Sequence, residues 1–406
     1  MHIVLLNDDA LPAAKGGAAS VVDRLQKAYL REGHRVTLLT THQDPAMGPV
    51  VKTDGVISLL SDYPLRERHR HCLGSPAMRA ALVKAFAELK PDAVHAHNIH
   101  THLTYESLLI AKRFTDHVVL TAHDVFLVAF ARVRGERFER LAQQGIPLRM
   151  YFWEHLLSVG RKYWPLRNAA IRRILRESKV PVVAISEVHK RFLEVNGIHV
   201  RAVISNGVDV LPPVAAEEVR SFRQQWNLTG PTVLFGGRLT EDKGLSALLK
   251  AFVRVQRDVP DAQLLIVGDT ARVADSLKGI GPLLDRAIVA PGWLSASQMR
   301  VAYSASSVVT TPSLCFDPFN LMNIEAMAEG KPVVATCTGG APEIIVDGAT
   351  GFTVNPRDTE AFASKLLLLL QDPQKAAQMG SAGCKRVQER FSVEKQCRGY
   401  LDLFAS

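Results

Sequence analysis

Short apolar runs alternate with helical patterns along almost the whole chain, and this rhythm constrains the fold more than any other feature. The run "HIVLLN" precedes a predicted helix over about 18–32, and "RVTLLTT", "AVHAHN", "HVVLTAHD", "VPVVAISEV" and "RAVISNGV" follow. After a polar, proline-containing stretch at 211–230, the rhythm restarts with "TVLFGGR", "AQLLIVGD", "AIVAPGW", "SVVTTPS" and "KPVVATC". Apolar strands interleaved with helices predict a parallel sheet covered on both faces, here twice.

Two doubly wound α/β domains are therefore expected, one over 1–210 and one over 211–389. Ligands of such sheets bind outside the carboxyl ends of the strands. We expect the functional residues in a cleft between the carboxyl ends of the two sheets.

Composition excludes several classes of protein. The chain has 406 residues, of which 47% are hydrophobic and 22% are charged, as in a folded globular protein. No apolar run reaches the roughly 18 residues of a spanning helix, and the N-terminus "MHIVLLNDDA" does not read as a secretory signal. The five cysteines are scattered and form no CxxC pair, so neither a disulfide framework nor a zinc site is predicted. We expect a cytoplasmic protein.

The net charge of +9 is concentrated in one segment. Residues 131–180 hold ten Arg and two Lys against four Glu, together with five aromatic residues between 151 and 164, and "NAAIRRILRES" reads as a basic amphipathic helix. One interpretation is a patch that binds anionic lipid, at the inner face of the cytoplasmic membrane, or attracts an anionic substrate. The other is a solvated helix face with its aromatics in the core. No recognition motif accompanies the charge, so nucleic-acid binding is not expected.

The stretch "FGGRLTEDKG" at 235–244 follows an apolar run and places Arg238 and Lys243 five residues apart. Glycines allow a backbone to approach a ligand closely, and a loop that only turns needs no cations. The pattern favours a phosphate site.

Gly16 and Gly17 lie between the first predicted strand and the first helix. This position suits an anion, because a helix N-terminus presents free N–H groups; a tight turn is the alternative explanation. The pair does not form a G-x-G-x-x-G fingerprint, and no G-x₄-G-K-[ST] pattern occurs, so a dehydrogenase and a P-loop enzyme are disfavoured.

The block at 310–352 carries the densest set of unusual residues. Asp317 precedes Pro318, a combination that predicts an N-cap and first helical position, and the predicted helix runs on to Gly330. Glu325 lies eight residues after Asp317, about 12 Å along a helix axis, which is too far for a hydrolytic carboxylate pair. Such a spacing suits the two ends of an extended ligand. Gly339 and the following glycine predict a second helix opening at the same strand ends.

Taken together, these motifs resemble retaining glycosyltransferases of family four, and the resemblance covers nearly the full length. It is carried by "KGG", "VHAHN", "TAHD", "VVAISE", "VISNGVD", "GGRLTEDKG", the 310–352 block and "FSVEKQCRGYLDLF". The resemblance implies the GT-B architecture, with two facing Rossmann-like domains and a C-terminal helix at 390–406 that packs back on the first domain.

The resemblance also implies roles for individual residues. In such enzymes the Arg and Lys of the G-R-x₄-K-G loop bind the diphosphate of a nucleotide-sugar, which maps to Arg238 and Lys243 with Gly237. Glu325 matches the glutamate that holds the ribose, and Asp317 stands where the family usually has the Glu that contacts the sugar. The other implied donor contacts are Gly16, Gly17, Trp293 and Leu294 after Gly292, Phe319, Asn320 and Leu321. The implied acceptor side is Asn98, His100 and His123, of which His123 is also expected to be catalytic.

The expected reaction is transfer of a hexose from a nucleotide diphosphate sugar to a glycan or lipid-linked acceptor of the bacterial cell envelope. Retention of configuration follows from the resemblance. No D-x-D triplet occurs, so neither a metal nor another cofactor is expected. Two alternatives stay open: a nucleotide-sugar epimerase or phosphorylase of the same fold, and a non-catalytic nucleotide-sugar-binding subunit.

Overall fold

The computed structural model describes residues 1–11, 16–269 and 287–405. Within these ranges the chain forms two compact units. The first contains the described residues of Met1–Val133, Pro147–Gly207 and Val393–Ser406, and the second those of Arg134–Ile146 and Val208–Ser392.

Strands and helices alternate in both units, as the apolar rhythm predicts. The strands are β1 (His2–Leu6), β2 (Arg35–His42), β3 (Val50–Thr53), β4 (Val56–Leu60), β5 (Ala93–Ala96), β6 (His117–Ala122), β7 (Val182–Ala184), β8 (Ala202–Val203), β9 (Thr232–Gly237), β10 (Gln263–Gly268), β11 (Ile288–Gly292), β12 (Val308–Thr311), β13 (Val333–Thr336) and β14 (Gly351–Val354). The helices are α1 (Gly17–Arg31), α2 (Arg68–His71), α3 (Pro76–Leu89), α4 (Glu106–Ala111), α5 (Glu136–Gln143), α6 (Phe152–Val159), α7 (Arg167–Ser178), α8 (Glu187–Val195), α9 (Ala216–Gln225), α10 (Leu245–Asp258), α11 (Ala296–Ala305), α12 (Leu321–Ala328), α13 (Ala341–Ile344), α14 (Thr359–Gln371), α15 (Pro373–Arg390) and α16 (Val393–Ala405).

The sheet of the first unit has the order β3-β4-β2-β1-β5-β6-β7-β8, and that of the second has the order β11-β10-β9-β12-β13-β14. Every apolar run quoted above contains one of these strands, so the prediction of two doubly wound sheets is confirmed. One edge of the first sheet departs from the parallel pattern, because β3 pairs antiparallel with β4. Because β3 is a largely exposed edge strand, it lacks the continuous apolar run that marks a buried parallel strand.

The core of the second unit shows how the helices cover a sheet. On α10, Leu245, Leu248, Leu249, Phe252 and Val255 are buried, and their spacing of three and four residues places them on one helix face. They join the buried residues of β9, β10 and α14 in one apolar cluster. This packing fixes α10, and therefore the loop that enters it from β9.

Residues 134–146 belong to the second unit, although they lie within 1–210. Within that unit, Arg134 forms an antiparallel bridge with Cys315, and the ring of Phe138 packs edge-on against Phe316 at 5.7 Å. Glu139 accepts hydrogen bonds of 2.7–2.9 Å from the guanidinium of Arg357. The segment thus packs beside Cys315 and Phe316.

The C-terminal helix α16 belongs to the first unit. Its Tyr400 is fully buried and accepts a 2.8 Å hydrogen bond from the Thr121 hydroxyl on β6. Thr121 in turn contacts the Nε2 atom of His95 at 2.8 Å. No helix in the described ranges is both long and apolar enough to cross a bilayer.

Candidate functional site

In the second unit, several polar residues lie just beyond the ends of strands. Arg238 follows β9, Trp293 follows β11, and Asp317 lies in the segment that leads from β12 to α12. Because these strands are parallel, their carboxyl ends share one edge of the sheet. The structure therefore brings the predicted diphosphate loop and the 310–352 block to the same edge, which is where ligands of such sheets bind.

The predicted diphosphate loop begins at Gly237, whose φ of +102° is one that glycine adopts readily. Arg238 is exposed. Lys243 ends a short 3₁₀ turn, Glu241–Lys243, directly before α10. Backbone bonds from Thr240 to Arg238 and from Lys243 to Thr240 hold the loop compact. Both cations are thus fixed between the end of β9 and the start of a helix.

An ion pair joins this loop to the segment after β12. The Nζ atom of Lys243 donates to Oδ2 of Asp317 at 2.6 Å, and the side chains are only 21% and 16% exposed. Low exposure strengthens the attraction between the charges and also raises the cost of leaving either of them unpaired. Two residues singled out 74 positions apart in the sequence are therefore direct partners.

The prediction that Asp317 caps the following helix is wrong. The helix starts at Leu321, and its N-cap is Asn320, whose side chain accepts a 3.1 Å bond from the Met322 backbone N–H. Phe319 is buried against Phe391, which turns the chain inward before the helix can begin. The Asp317 carboxylate is bound by Lys243 instead, so the estimate of 12 Å along one helix axis does not apply.

Two glycines fix the backbone at Asp317. Gly340 N–H donates to the Asp317 carbonyl at 2.9 Å. A Cβ atom on Gly339 would lie 2.4 Å from that same carbonyl oxygen, and one on Gly340 would lie 2.0 Å from the Pro318 carbonyl oxygen. The helix that follows, α13, has only four residues. The pair of glycines therefore packs closely against residues 317–318, and Gly340 is also the N-cap of this short helix, as the sequence predicts.

Glu325 lies on α12, where its Oε2 atom accepts a 2.9 Å hydrogen bond from the Tyr303 hydroxyl of α11. The sequence analysis missed Tyr303, because a tyrosine within an amphipathic helix carries no motif. Of the remaining predicted donor contacts in this unit, Trp293 is exposed, Leu294 is half-buried after β11, and Leu321 is the half-buried first residue of α12.

In the first unit, Gly16 and Gly17 lie at the start of α1. Gly16 is the N-cap residue with an extended backbone (φ −120°), and a Cβ atom there would meet no atom of the described residues within 4 Å. The residues that lead from β1 to Gly16, 12–15, lie outside the described residues, so the anion site and the tight turn both stay predictions.

A buried carboxylate shapes the loop that follows β5. Asp8 accepts three backbone hydrogen bonds of 2.7–2.9 Å, from Thr101, His102 and Leu103. Asn98 precedes this loop, and its carbonyl accepts a 2.7 Å bond from the Asp8 backbone N–H. The Nε2 atom of His100 lies 3.9 Å from Oδ2 of Asp124. Asp8 was not among the predicted site residues, since its role depends on a contact with residues more than 90 positions away.

His123 follows β6 and pairs with His97, whose Nδ1 lies 2.8 Å from His123 Nε2. His97 is buried, and its Nε2 has no hydrogen-bond partner among the described residues. An orphaned buried N–H is less favourable than an unfilled acceptor, so the His97 proton belongs on Nδ1, where it is donated to His123. Neutral His123 then carries its own proton on Nδ1. Burial lowers the pKa of His123 to about 4, so the ring is neutral at pH 7.

Of the five aromatic residues between 151 and 164, Tyr163 is half-buried and the other four lie outside the core. Tyr151, Phe152, Trp153 and Trp164 are exposed, and so the interpretation that placed them inside is wrong. Leu156, Leu157 and Leu166 are exposed beside them. Because His155 is the one fully buried residue of α6, this helix presents an apolar surface to solvent.

Among the described residues, His, Cys, Asp and Glu side chains form no group of three or more that could hold a metal ion. The charges at the second sheet edge come from Arg, Lys and carboxylate side chains, which suits an anionic ligand that carries hydroxyl groups.

Two family models match the chain. The model for Glycosyltransferase Family 4 matches residues 15–210, and the one for glycosyl transferases group 1 matches residues 230–372. The chain belongs to glycosyltransferase family 4. Its fold of two parallel-sheet α/β units is GT-B, as predicted.

Characterised relatives cover most of the chain. The alpha-maltose-1-phosphate synthase of Mycolicibacterium smegmatis is 29% identical over 82% of this chain and 89% of its own length. A GDP-mannose-dependent monoacylated alpha-(1-6)-phosphatidylinositol monomannoside mannosyltransferase of Corynebacterium glutamicum is 30% identical over 59% of this chain and 65% of its own.

Solved structures share the fold at low sequence identity. Sucrose-phosphate synthase from Thermosynechococcus elongatus superposes with a TM-score of 0.76 at 23% identity, covering 100% of this chain and 99% of its own. Anabaena HepE, solved in complex with UDP-glucose, superposes with a TM-score of 0.72 at 20% identity, over the same shares of the two chains.

The corrected helix cap leads to a stability prediction. Asn320→Ala should lower the free energy of unfolding by about 1 kcal/mol, whereas Asn320→Asp should change it by only a few tenths, because Asp caps about as well as Asn. Urea denaturation of the three proteins measures the difference. Equal stability of the alanine variant and the wild type would show that Asn320 does not cap α12.

The lowered pKa of His123 predicts a loss of stability in acid. Unfolded histidine titrates near pH 6.5 and folded His123 near 4, so the unfolded state takes up the proton first, and stability falls as pH drops through this window. At pH 5 the titration of His123 lowers the free energy of unfolding by about 2 kcal/mol. His123→Gln should therefore lose less stability than wild type between pH 7 and pH 5, and His117→Gln, at an exposed histidine, should follow wild type. If the free energy of unfolding fell equally with pH in the wild type and in His123→Gln, the lowered pKa of His123 would be refuted.

Proposed function

We propose that this glycosyltransferase transfers a hexose from a nucleoside diphosphate sugar to a glycan or lipid-linked acceptor used in bacterial cell-envelope synthesis. The reaction retains the anomeric configuration and uses no metal. The observation that carries the proposal is the arrangement of Arg238, Lys243 and Asp317 at the carboxyl edge of the second sheet. These residues provide two cations for a diphosphate and one carboxylate for sugar hydroxyls.

Charge compensation is the main contribution that such a loop makes to catalysis. When the bond between the sugar and the diphosphate breaks, negative charge accumulates on the leaving phosphate oxygens. Arg238 and Lys243 stabilise that charge more strongly in the transition state than in the ground state, and this difference lowers the barrier. Because Lys243 is held by Asp317 at 2.6 Å, the cation is already positioned before the donor binds.

The carboxylates have separate roles in this proposal. Asp317 contacts the transferred sugar, and Glu325 accepts hydrogen bonds from the ribose hydroxyls. Tyr303 holds the Glu325 carboxylate in one orientation through the 2.9 Å bond to Oε2. Gly16 and Gly17 admit the donor to the start of α1, and Trp293 and Leu294, after β11, contact the base.

The acceptor contacts are assigned to Asn98, His100 and His123 of the first unit. His123 is neutral, and the proton on its Nδ1 is available to donate to an acceptor or sugar oxygen. The names of the relatives support a nucleotide-hexose donor and leave the base open, since one mannosyltransferase is GDP-mannose-dependent and HepE was solved with UDP-glucose. That mannosyltransferase is named for a phosphatidylinositol mannoside, which supports a lipid-linked acceptor.

Arg238→Ala and Lys243→Ala should each lower turnover by about 100-fold, because each removes a charge-assisted contact that forms most strongly in the transition state. Lys250→Ala, an exposed lysine on α10, is the matched control and should keep the wild-type rate. The measurement is release of nucleoside diphosphate from a donor panel, with and without a lipid-linked glycan acceptor.

Three outcomes would contradict the proposal. Wild-type rates in both loop variants would refute the diphosphate assignment. Conversion of the donor without acceptor and without release of nucleoside diphosphate would indicate an epimerase. Tight donor binding with no turnover under any acceptor would indicate a binding subunit.

The proposal places the enzyme at the inner face of the cytoplasmic membrane, where a lipid-linked acceptor is found. The support is the exposed face of α6, on which Phe152 is 64% and Leu157 is 83% exposed. Arg161 and Lys162 follow this helix and are exposed as well. Exposed aromatic and leucine side chains beside cations are typical of helices that lie in a membrane interface. The apolar face inserts, and the cations attract anionic headgroups.

Vesicles of phosphatidylglycerol and phosphatidylcholine test this attachment by sedimentation. Phe152→Asp with Leu157→Asp should weaken binding by about 100-fold or more, since burial of each side chain contributes about 1.5–3 kcal/mol. Added salt should weaken wild-type binding, because each nearby Lys or Arg contributes about 1 kcal/mol. Leu30→Asp, at an equally apolar exposed position of α1, is the control. If the wild-type protein stayed in the supernatant when the vesicles sediment, the proposed membrane attachment would be refuted.

A further inference from the structure

A groove of about 940 Å³ lies in the first unit at the amino ends of β6 and β7. Its walls come from α7, from the loop between α8 and β8, and from Leu403 of α16. The apolar side chains that line it are Val118, Leu175, Val180, Val182, Ile198 and Leu403. Its volume falls in the range of known small-molecule sites.

The polar lining of this groove is strongly basic. Arg172, Arg176 and Lys179 come from α7 and its C-cap, and Arg201 comes from the residue before β8. Throughout the described ranges, no carboxylate lies within ion-pair distance of these four cations. Asp116 is the acidic residue of the lining, and it already pairs with Lys112 at 2.9 Å.

A neighbouring residue shows that not every arginine of α7 lacks a carboxylate partner. Arg173 does not line the groove, and its Nε atom is paired with Glu177 at 2.7 Å. Four cations around one concave surface repel each other, and an anion bound among them relieves that repulsion. Phosphate suits such a site, because guanidinium groups bind it through paired charge-assisted hydrogen bonds.

The groove is distant from the predicted site of transfer. It opens at His117, the first residue of β6, whereas His123 follows the last residue of the same strand. Six residues of extended chain span roughly 20 Å. A ligand in the groove therefore does not occupy the predicted acceptor contacts at Asn98, His100 and His123.

We propose that this groove is a second binding site, which takes a phosphorylated amphiphile. The phosphate binds to Arg172, Arg176, Lys179 and Arg201, and an apolar chain covers the floor formed by Leu175, Ile198 and Leu403. The site does not depend on the proposed transferase activity, and it is separate from the exposed face of α6.

Isothermal titration with dihexanoyl phosphatidic acid, a soluble short-chain lipid phosphate, tests the site. The wild type should bind it at least tenfold more tightly than inorganic phosphate. Burial of every two methylene groups lowers the Kd by about tenfold. Arg172→Ala combined with Arg176→Ala should weaken binding at least tenfold. Arg173→Ala is the matched control on the same helix and should bind as wild type does.

One further variant and two further comparisons distinguish this site from others. Arg238→Ala should leave the lipid affinity unchanged, so a loss there would assign the binding to the diphosphate loop and overturn the proposal. Equal affinity for the lipid and for inorganic phosphate would also overturn it, because the apolar floor would then contribute nothing. Unchanged binding in the double variant of α7, with its fold confirmed by circular dichroism, would do the same.

Discussion

The ion pair between Lys243 and Asp317 is the interaction on which the second sheet edge depends. It joins the loop after β9 to the segment after β12, two adjacent strands of the sheet. Both side chains are mostly buried, so removing either partner would leave a charge in a poorly solvated place. In the proposed function, an incoming diphosphate offers Lys243 a second anion, and the Asp317 carboxylate then becomes available to sugar hydroxyls.

The surrounding chain is built to support this pair. Gly339 and Gly340 allow their backbone to lie against the carbonyls of Asp317 and Pro318, where a Cβ atom would clash. Phe316 packs against Phe138 of α5, and Phe319 packs against Phe391. Asp317 therefore lies between two anchored aromatic side chains, and its position is fixed by packing that no local motif describes.

The sequence predicted the sheets well because buried parallel strands leave an unmistakable apolar run. The strands β3, β4 and β14 were missed, and of these β3 is largely exposed and lacks a continuous apolar run. The loop at 237–243 could be singled out because its glycines and cations are close together in sequence, and its diphosphate role stays a prediction. Contacts between distant residues were not found: Asp8 with the loop at 101–103, and α5 with the second unit. The helix cap at Asp317 was wrong because tertiary packing of Phe319 delayed the helix by three residues, and Asn320 then became the cap.

The thermal stability of the chain in the presence of nucleoside diphosphate sugars tests the proposed diphosphate site most directly. A ligand at a hundred times its dissociation constant stabilises the folded state by about 2.7 kcal/mol, which is readily measured as a rise in Tm. We expect one nucleotide base among UDP-, GDP- and ADP-sugars to raise the Tm of wild type by several degrees, and Arg238→Ala with Lys243→Ala to abolish that rise. A Tm that responds to none of these donors, or that rises equally in the double variant, would contradict the assignment of Arg238 and Lys243 to a nucleotide-sugar diphosphate.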